Sequence, residues 1–193
     1  MSNVAITGNA SGTGVFTVAS PNSNTDRVLT LPDETGTVDT LQRSGNVIQV
    51  VNFQTGALAS GTGLIPRDDT IPQITEGDQY MTLAITPTNE SNILLINVVV
   101  AAITRTVSPD VSVALFVGAT ANALASSIQS MITDGTVVFN FTHKMVAGVT
   151  TELTFRVRAG GADAGTTRFN AFSAVERHGG VLASSITITE VTP

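Results

Sequence analysis

Apolar residues recur at every second position in three long stretches of this chain, and that period is one a helix cannot use. Residues 110–118 carry Val111, Val113, Leu115 and Val117 on one face. Residues 136–146 set Val137, Phe139 and Phe141 against Val138, Asn140 and Thr142, and residues 151–159 set Leu153, Phe155 and Val157 against Thr154, Arg156 and Arg158. A period of two marks a strand with one face in a core. Further strands read from residues 47–53, 78–86, 93–103, 169–174 and 184–191. Residues 47–53 show little alternation and read as buried on both faces. Only residues 121–132, rich in Ala and Ser and without a clear cap, read as loop or short helix. About eight strands after residue 47, joined by turns with no crossover helix, make the chain all-β. The expected architecture is a short N-terminal β arm followed by a jelly-roll-like antiparallel β-sandwich of two four-stranded sheets.

The arm, residues 1–44, is thin. Gly8, Gly12, Gly14, Pro21, Pro32 and Gly36 cut it into strand-sized pieces, and Arg43-Ser44-Gly45-Asn46 marks the boundary with a domain over residues 45–193. Its apolar groups, Phe16, Val18, Val28, Leu29, Leu31 and Val38, are too few and on strands too short to close a core. They are the expected subunit-interface residues, because such a segment becomes stable when neighbouring copies cover it. Burying Phe16, Val18, Leu29 and Leu31 between subunits would contribute about 1.5–3 kcal/mol per side chain.

Composition removes several function classes. The formal net charge is −6 with nine basic residues, well scattered and including a single lysine, Lys144. Nucleic-acid binding needs concentrated Lys and Arg, so it is not expected. Cysteine is absent, which rules out disulfides and thiolate metal sites. The longest apolar run, residues 93–103, is interrupted by Asn97 and is too short to span a bilayer, so no membrane insertion is expected. The first residues lack the basic start and apolar middle of a secretory signal. The absence of cysteine suits assembly in a reducing cytoplasm.

Two stretches resemble bacteriophage virion appendage proteins of the trimeric tail-fibre, head-fibre or capsid-decoration type. In the arm, Thr30-Leu31-Pro32-Asp33 leads into Thr35-Gly36-Thr37-Val38, like a strand repeat of such proteins. Further on, Val51-Asn52-Phe53-Gln54-Thr55-Gly56, residues 76–89 and residues 184–190 are similar to domains that follow those repeats. The resemblance implies a non-enzymatic structural protein of the virion, a homotrimeric surface appendage anchored by its arm. Its partners would be its own copies, other capsid or tail proteins and a host surface glycan or receptor. A decoration protein clamping capsid subunits is the first alternative, and a polysaccharide-degrading tailspike enzyme the weaker one.

Residues that carry chemistry are sparse. His143 and His178 are the only histidines, so any Ser-His-acid triad must use one of them, and no Gly-x-Ser-x-Gly elbow accompanies either. His143 shares the face of Phe139 and Phe141 and reads as a packed side chain, while His178 reads as a turn residue. Asp68, Asp69, Glu76 and Asp78 offer oxygen ligands for calcium but lack the spacing of a calcium-binding loop, and a solvated loop is the plainer reading. Asp33 and Glu34 face no second carboxylate pair. Gly12-Thr13-Gly14 and Gly61-Thr62-Gly63 are turns with no phosphate-binding helix behind them. Arg156 and Arg158 form a small basic stripe that keeps a strand face from aggregating, or meets an acidic partner. No catalytic residue, cofactor or metal ligand is assigned.

Overall fold

The computed structural model describes residues 11–13, 17, 22, 24–26 and 28, and then residues 44–107 and 110–193. The chain divides into two units, 1–38 and 39–193. Of the expected interface residues, Phe16, Val18, Leu29, Leu31 and Val38 lie outside the described residues. Val28 is described, and its side chain is 92% exposed.

The second unit is built of strands β1 (Val47–Thr55), β2 (Ala59–Gly61), β3 (Asp78–Ile85), β4 (Ile93–Arg105), β5 (Asp110–Val117), β6 (Ala125–Ser130), β7 (Thr136–Val146), β8 (Leu153–Gly161), β9 (Thr167–Phe169) and β10 (Ser184–Val191). A single 3-10 turn, His178–Gly180, precedes β10. One sheet runs β1-β10-β4-β7, with the short β9 and β2 continuing beside the far end of β4. Ile93 of β4 faces both Val191 of β10 and Val146 of β7, which places those strands on its two edges. The other sheet runs β3-β8-β5-β6, all antiparallel. Strands cross repeatedly from one sheet to the other, as the double Greek key of a jelly roll requires. Side chains tie the sheet margins: Gln49 Nε2 donates to Thr86 O (2.9 Å), and Gln129 Nε2 donates to Val138 O.

The core is the layer that alternation predicts. Leu94, Ile96, Val98 and Val100 of β4, with Ile186 and Ile188 of β10, meet Val111, Val113 and Leu115 of β5 and Phe155 and Val157 of β8. All eleven are fully buried. Full burial of such side chains stabilises the fold by about 1.5–3 kcal/mol each. A bulge between Val100 and Ile103 returns Ile103 to the core side, where it faces Phe169 and Val137.

Three expectations need correction. Residues 125–130, inside the stretch expected to be loop or helix, form β6, whose burial alternates along the edge of β5. Ser and Ala barely favour either state, so the open backbone edge of β5 decides. Residues 47–53 are not buried on both faces: β1 pairs only with β10, and Val47 and Val50 are 61% and 55% exposed. The broken alternation reflects a register shift between Val47 and Gln49. Residues 170–174 are not strand, because β9 ends at Phe169 and the chain turns back.

Candidate functional site

The residues singled out by sequence do not converge. His143 sits on the inward side of β7 with Phe139, half-buried. His178 lies in the 3-10 turn, exposed. Three of the four acidic residues, Asp68, Glu76 and Asp78, serve separate stretches of backbone. Asp68 Oδ1 accepts from Thr70 N and Oγ1 at 2.9 and 2.5 Å, and these bonds hold its carboxyl below the usual range. Glu76 accepts from Gln73 N (2.9 Å), and Asp78 from Gly63 N (2.6 Å). Among the described residues no group of three or more acidic, His or Cys side chains is placed to hold a metal ion. No described helix is long and apolar enough to cross a membrane.

Arg156 and Arg158 are not a free basic stripe. Arg156 donates to Gly118 O (2.5 Å), while Arg158 donates to Glu76 O (2.7 Å) and Gly77 O (2.6 Å). Both pin loops over the outer face of the β3-β8-β5-β6 sheet. Beneath those loops Ile65, Ala114 and Phe116 form a second small core.

Buried polar groups hold the ends of the sandwich. Glu190, fully buried on β10, accepts from Asn92 Nδ2 (2.6 Å), Gln49 Nε2 (2.5 Å) and Thr88 N and Oγ1 (both 2.8 Å). Burial alone would raise its carboxyl, but the four donated bonds outweigh that and hold it below the usual value. At the other end Arg105, also fully buried, donates to Asp110 O (2.7 Å) and Asp163 O (2.5 Å). Burial lowers its guanidinium, against the pull of Asp163 and Asp110. Asp110 is in turn paired with Arg67 (2.5 Å) and accepts from Ser130 Oγ (2.7 Å). Tyr80 stacks on Phe169 with centroids 4.7 Å apart, and its burial pushes the phenol up.

Among the described residues, two surface features remain without an internal partner. The first is the outer face of the β1-β10-β4-β7 sheet. From Ile93 to Val99 the register aligns Val50, Thr189, Leu95 and Lys144 in one row, and Asn52, Thr187, Asn97 and Thr142 in the next. Lys144 is the one charged side chain on this stretch of the face. Its polar groups bond one another, as in Asn52 Nδ2 to Thr187 Oγ1 (2.8 Å) and Asn97 Nδ2 to Thr142 Oγ1 (3.1 Å). The second is a groove of about 480 Å³ whose floor includes Ala101 of β4 and Val138 of β7 and whose wall includes Phe172, Arg177 and His178. Sequence reasoning noted His178 as a turn residue but passed over Phe172 and Arg177. The available signal was Glu176-Arg177-His178-Gly179-Gly180, a basic pair beside two glycines.

No protein-family model matches this chain, and no curated protein does either. Among solved structures it is similar to dimeric latent PorU from Porphyromonas gingivalis, with 10% identity over 78% of this chain, 14% of that chain and a TM-score of 0.35. It is also similar to the VP2 subviral particle of infectious bursal disease virus, with 9% identity over 75% of this chain, 40% of that chain and a TM-score of 0.30. The chain thus spans well under half the length of each, and likenesses this distant carry no argument about function.

Proposed function

We propose that this protein is a non-enzymatic structural component of a bacteriophage particle, a homotrimeric surface appendage whose arm anchors it and whose sandwich stands outward. The observation that carries the reading is the outer face of the β1-β10-β4-β7 sheet, where Lys144 is the one charged side chain along the stretch from Ile93 to Val99. A solvated antiparallel sheet normally carries polar and charged side chains on its open side. Here valine, isoleucine and leucine alternate with threonine and asparagine, which suits packing of copies in an assembly. The phage-like strand segments in the arm support the same reading.

The mass of the full chain in solution, by light scattering, tests it. Three times the 19.9 kDa subunit is expected. A strictly monomeric protein at high concentration overturns the trimer. Replacing Leu29 and Leu31 with Asp should lower trimer stability or particle occupancy while leaving the sandwich folded. Imaging of the labelled protein on its particle then separates the sites: density projecting from head or tail supports an appendage, and density across the shell supports a decoration protein.

A further inference from the structure

We propose that the groove between the 170–182 loop and the far end of β4 and β7 binds a carboxylate-bearing sugar, gripped by Arg177 and stacked on Phe172. The first argument is a census of arginines. Arg67 pairs with Asp110, and Arg168 faces Asp134 at 3.7 Å. Arg105, Arg156 and Arg158 donate to backbone carbonyls. Among the described arginines Arg177 alone has no hydrogen bond or ion pair, and it lines the groove. A guanidinium with its fork free matches a carboxylate with two parallel bonds.

The second argument is backbone strain. Ser173 and Ala174 hold φ of 47° and 68° in a two-residue turn closed by Phe172 N to Val175 O (3.0 Å) and its reciprocal (3.3 Å). Both central residues of such a turn need positive φ, so Asn-Gly or Asp-Gly is the usual choice. His178 follows at φ 56°, ahead of Gly179 and Gly180 at 59° and 84°. Strain of this kind persists only where the surroundings enforce it, and it gathers at ligand sites. The enforcing contacts are present. Asn170, buried with φ 55°, donates from Nδ2 to Thr55 O (2.8 Å) and Ala57 O (3.1 Å) and accepts from Ser184 Oγ (2.6 Å). Further round the loop, Gly180 O lies 1.7 Å from where a Cβ on Gly56 would stand. The loop is therefore clamped at its base and seated on a bare glycine.

Size and chemistry select the ligand. A volume near 480 Å³ falls in the range of small-molecule sites. Phe172, 51% exposed, offers a ring face, Val138 an apolar floor and Thr136 a hydroxyl. The charged or titratable groups in the lining, Arg177 and His178, are both basic in a chain of net charge −6. This site lies about 27 Å along β4 from Ile93. The proposal goes beyond the structural role above, because it assigns a small-molecule ligand and not a subunit contact.

Saturation-transfer NMR on the full chain, with D-glucuronate, D-glucose and inorganic phosphate in parallel, provides the test. Glucuronate should show transfer to its ring protons with millimolar or tighter affinity. Glucose should bind at least tenfold more weakly, and phosphate should not displace glucuronate at equal concentration. Arg177→Ala should weaken glucuronate at least tenfold with Arg177→Lys between, and Phe172→Ala should abolish the ring-proton transfer. Since Arg177 makes no internal bond, its variants should unfold at the wild-type denaturant midpoint. Equal binding of glucose, displacement by phosphate, no transfer at 10 mM glucuronate (about a millimolar-scale ceiling) or an unaffected Arg177→Ala would each overturn the proposal.

Discussion

Phe116 and Ala114 point away from the main core on β5 yet are fully buried, whereas Val50, Val138 and Val146 on the opposite sheet stay more than half exposed. The difference lies in where the long connections go. Residues 64–77 and 118–124 fold over the β3-β8-β5-β6 sheet. They are stitched there by Ile65 N to Gly161 O (3.0 Å), Ala123 N to Pro72 O (2.9 Å) and the two arginines of β8. Nothing described in the second unit crosses the other outer face in that way. The covered face teaches that an irregular loop acts as a third layer once its own backbone groups find partners. The open face teaches that the main core closes from the inner side of the sheet alone, since Leu94, Ile96, Val98 and Val100 are fully buried while the residues between them look outward.

Removing the covered face's anchor should cost most. Phe116→Ala leaves a cavity under the loop and is expected to lower unfolding free energy by about 3–5 kcal/mol in urea titrations. A loss below about 1 kcal/mol, within the usual surface range, would mean the loop layer adds little to the fold.

The bare sheet depends on its inner side, where Glu190 is the sharpest test. Its folded pKa is depressed below the ordinary 4.5. The carboxylate therefore contributes stability that is fully present above that value and is lost as pH falls through the folded one. Glu190→Gln puts an amide N–H₂ against donors that need acceptors. It should destabilise the protein by about 1.5–3 kcal/mol at pH 7, with a flatter stability curve below about pH 4.5 than wild type. Equal acid slopes for the two proteins would remove Glu190 from the account.

Arg158→Ala should come next, at about 1–3 kcal/mol, since it strips the donors from Glu76 O and Gly77 O. Amide exchange should then speed up across residues 64–77 ahead of the strands beneath. The smallest effect on subunit stability, within about 0.5 kcal/mol, belongs to Val50→Lys with Val146→Lys on the bare face. Yet that pair should lower the oligomer mass, and an unchanged mass would separate the face from assembly.

Much of this fold is legible from residues. Phe139, Phe141, His143 and Met145 fall on the inward side of β7 as alternation requires, and Arg156 and Arg158 fall opposite Phe155 and Val157. The strands of the main core stand close to where turns and periodicity put them. What was not legible depends on distant partners. Ala125–Ser130 became strand because β5 offered an edge, and Arg158 lost its freedom because Glu76, 82 residues earlier, is folded back over it. The groove was illegible for the same reason: Val138 sits on β7, and Phe172 and Arg177 on a loop that follows two strands later.

By itself the sequence determined that the chain is all-β and which sides of β7 and β8 face inward. Side-chain period is a property of neighbouring residues, so it can be read without knowing the fold. Only the tertiary structure decided which sheet the loops would cover, which of the described arginines would be left without a partner and where positive-φ backbone would line a groove. Those outcomes are set by hydrogen bonds and packing between segments far apart in the chain, where local pattern carries no information.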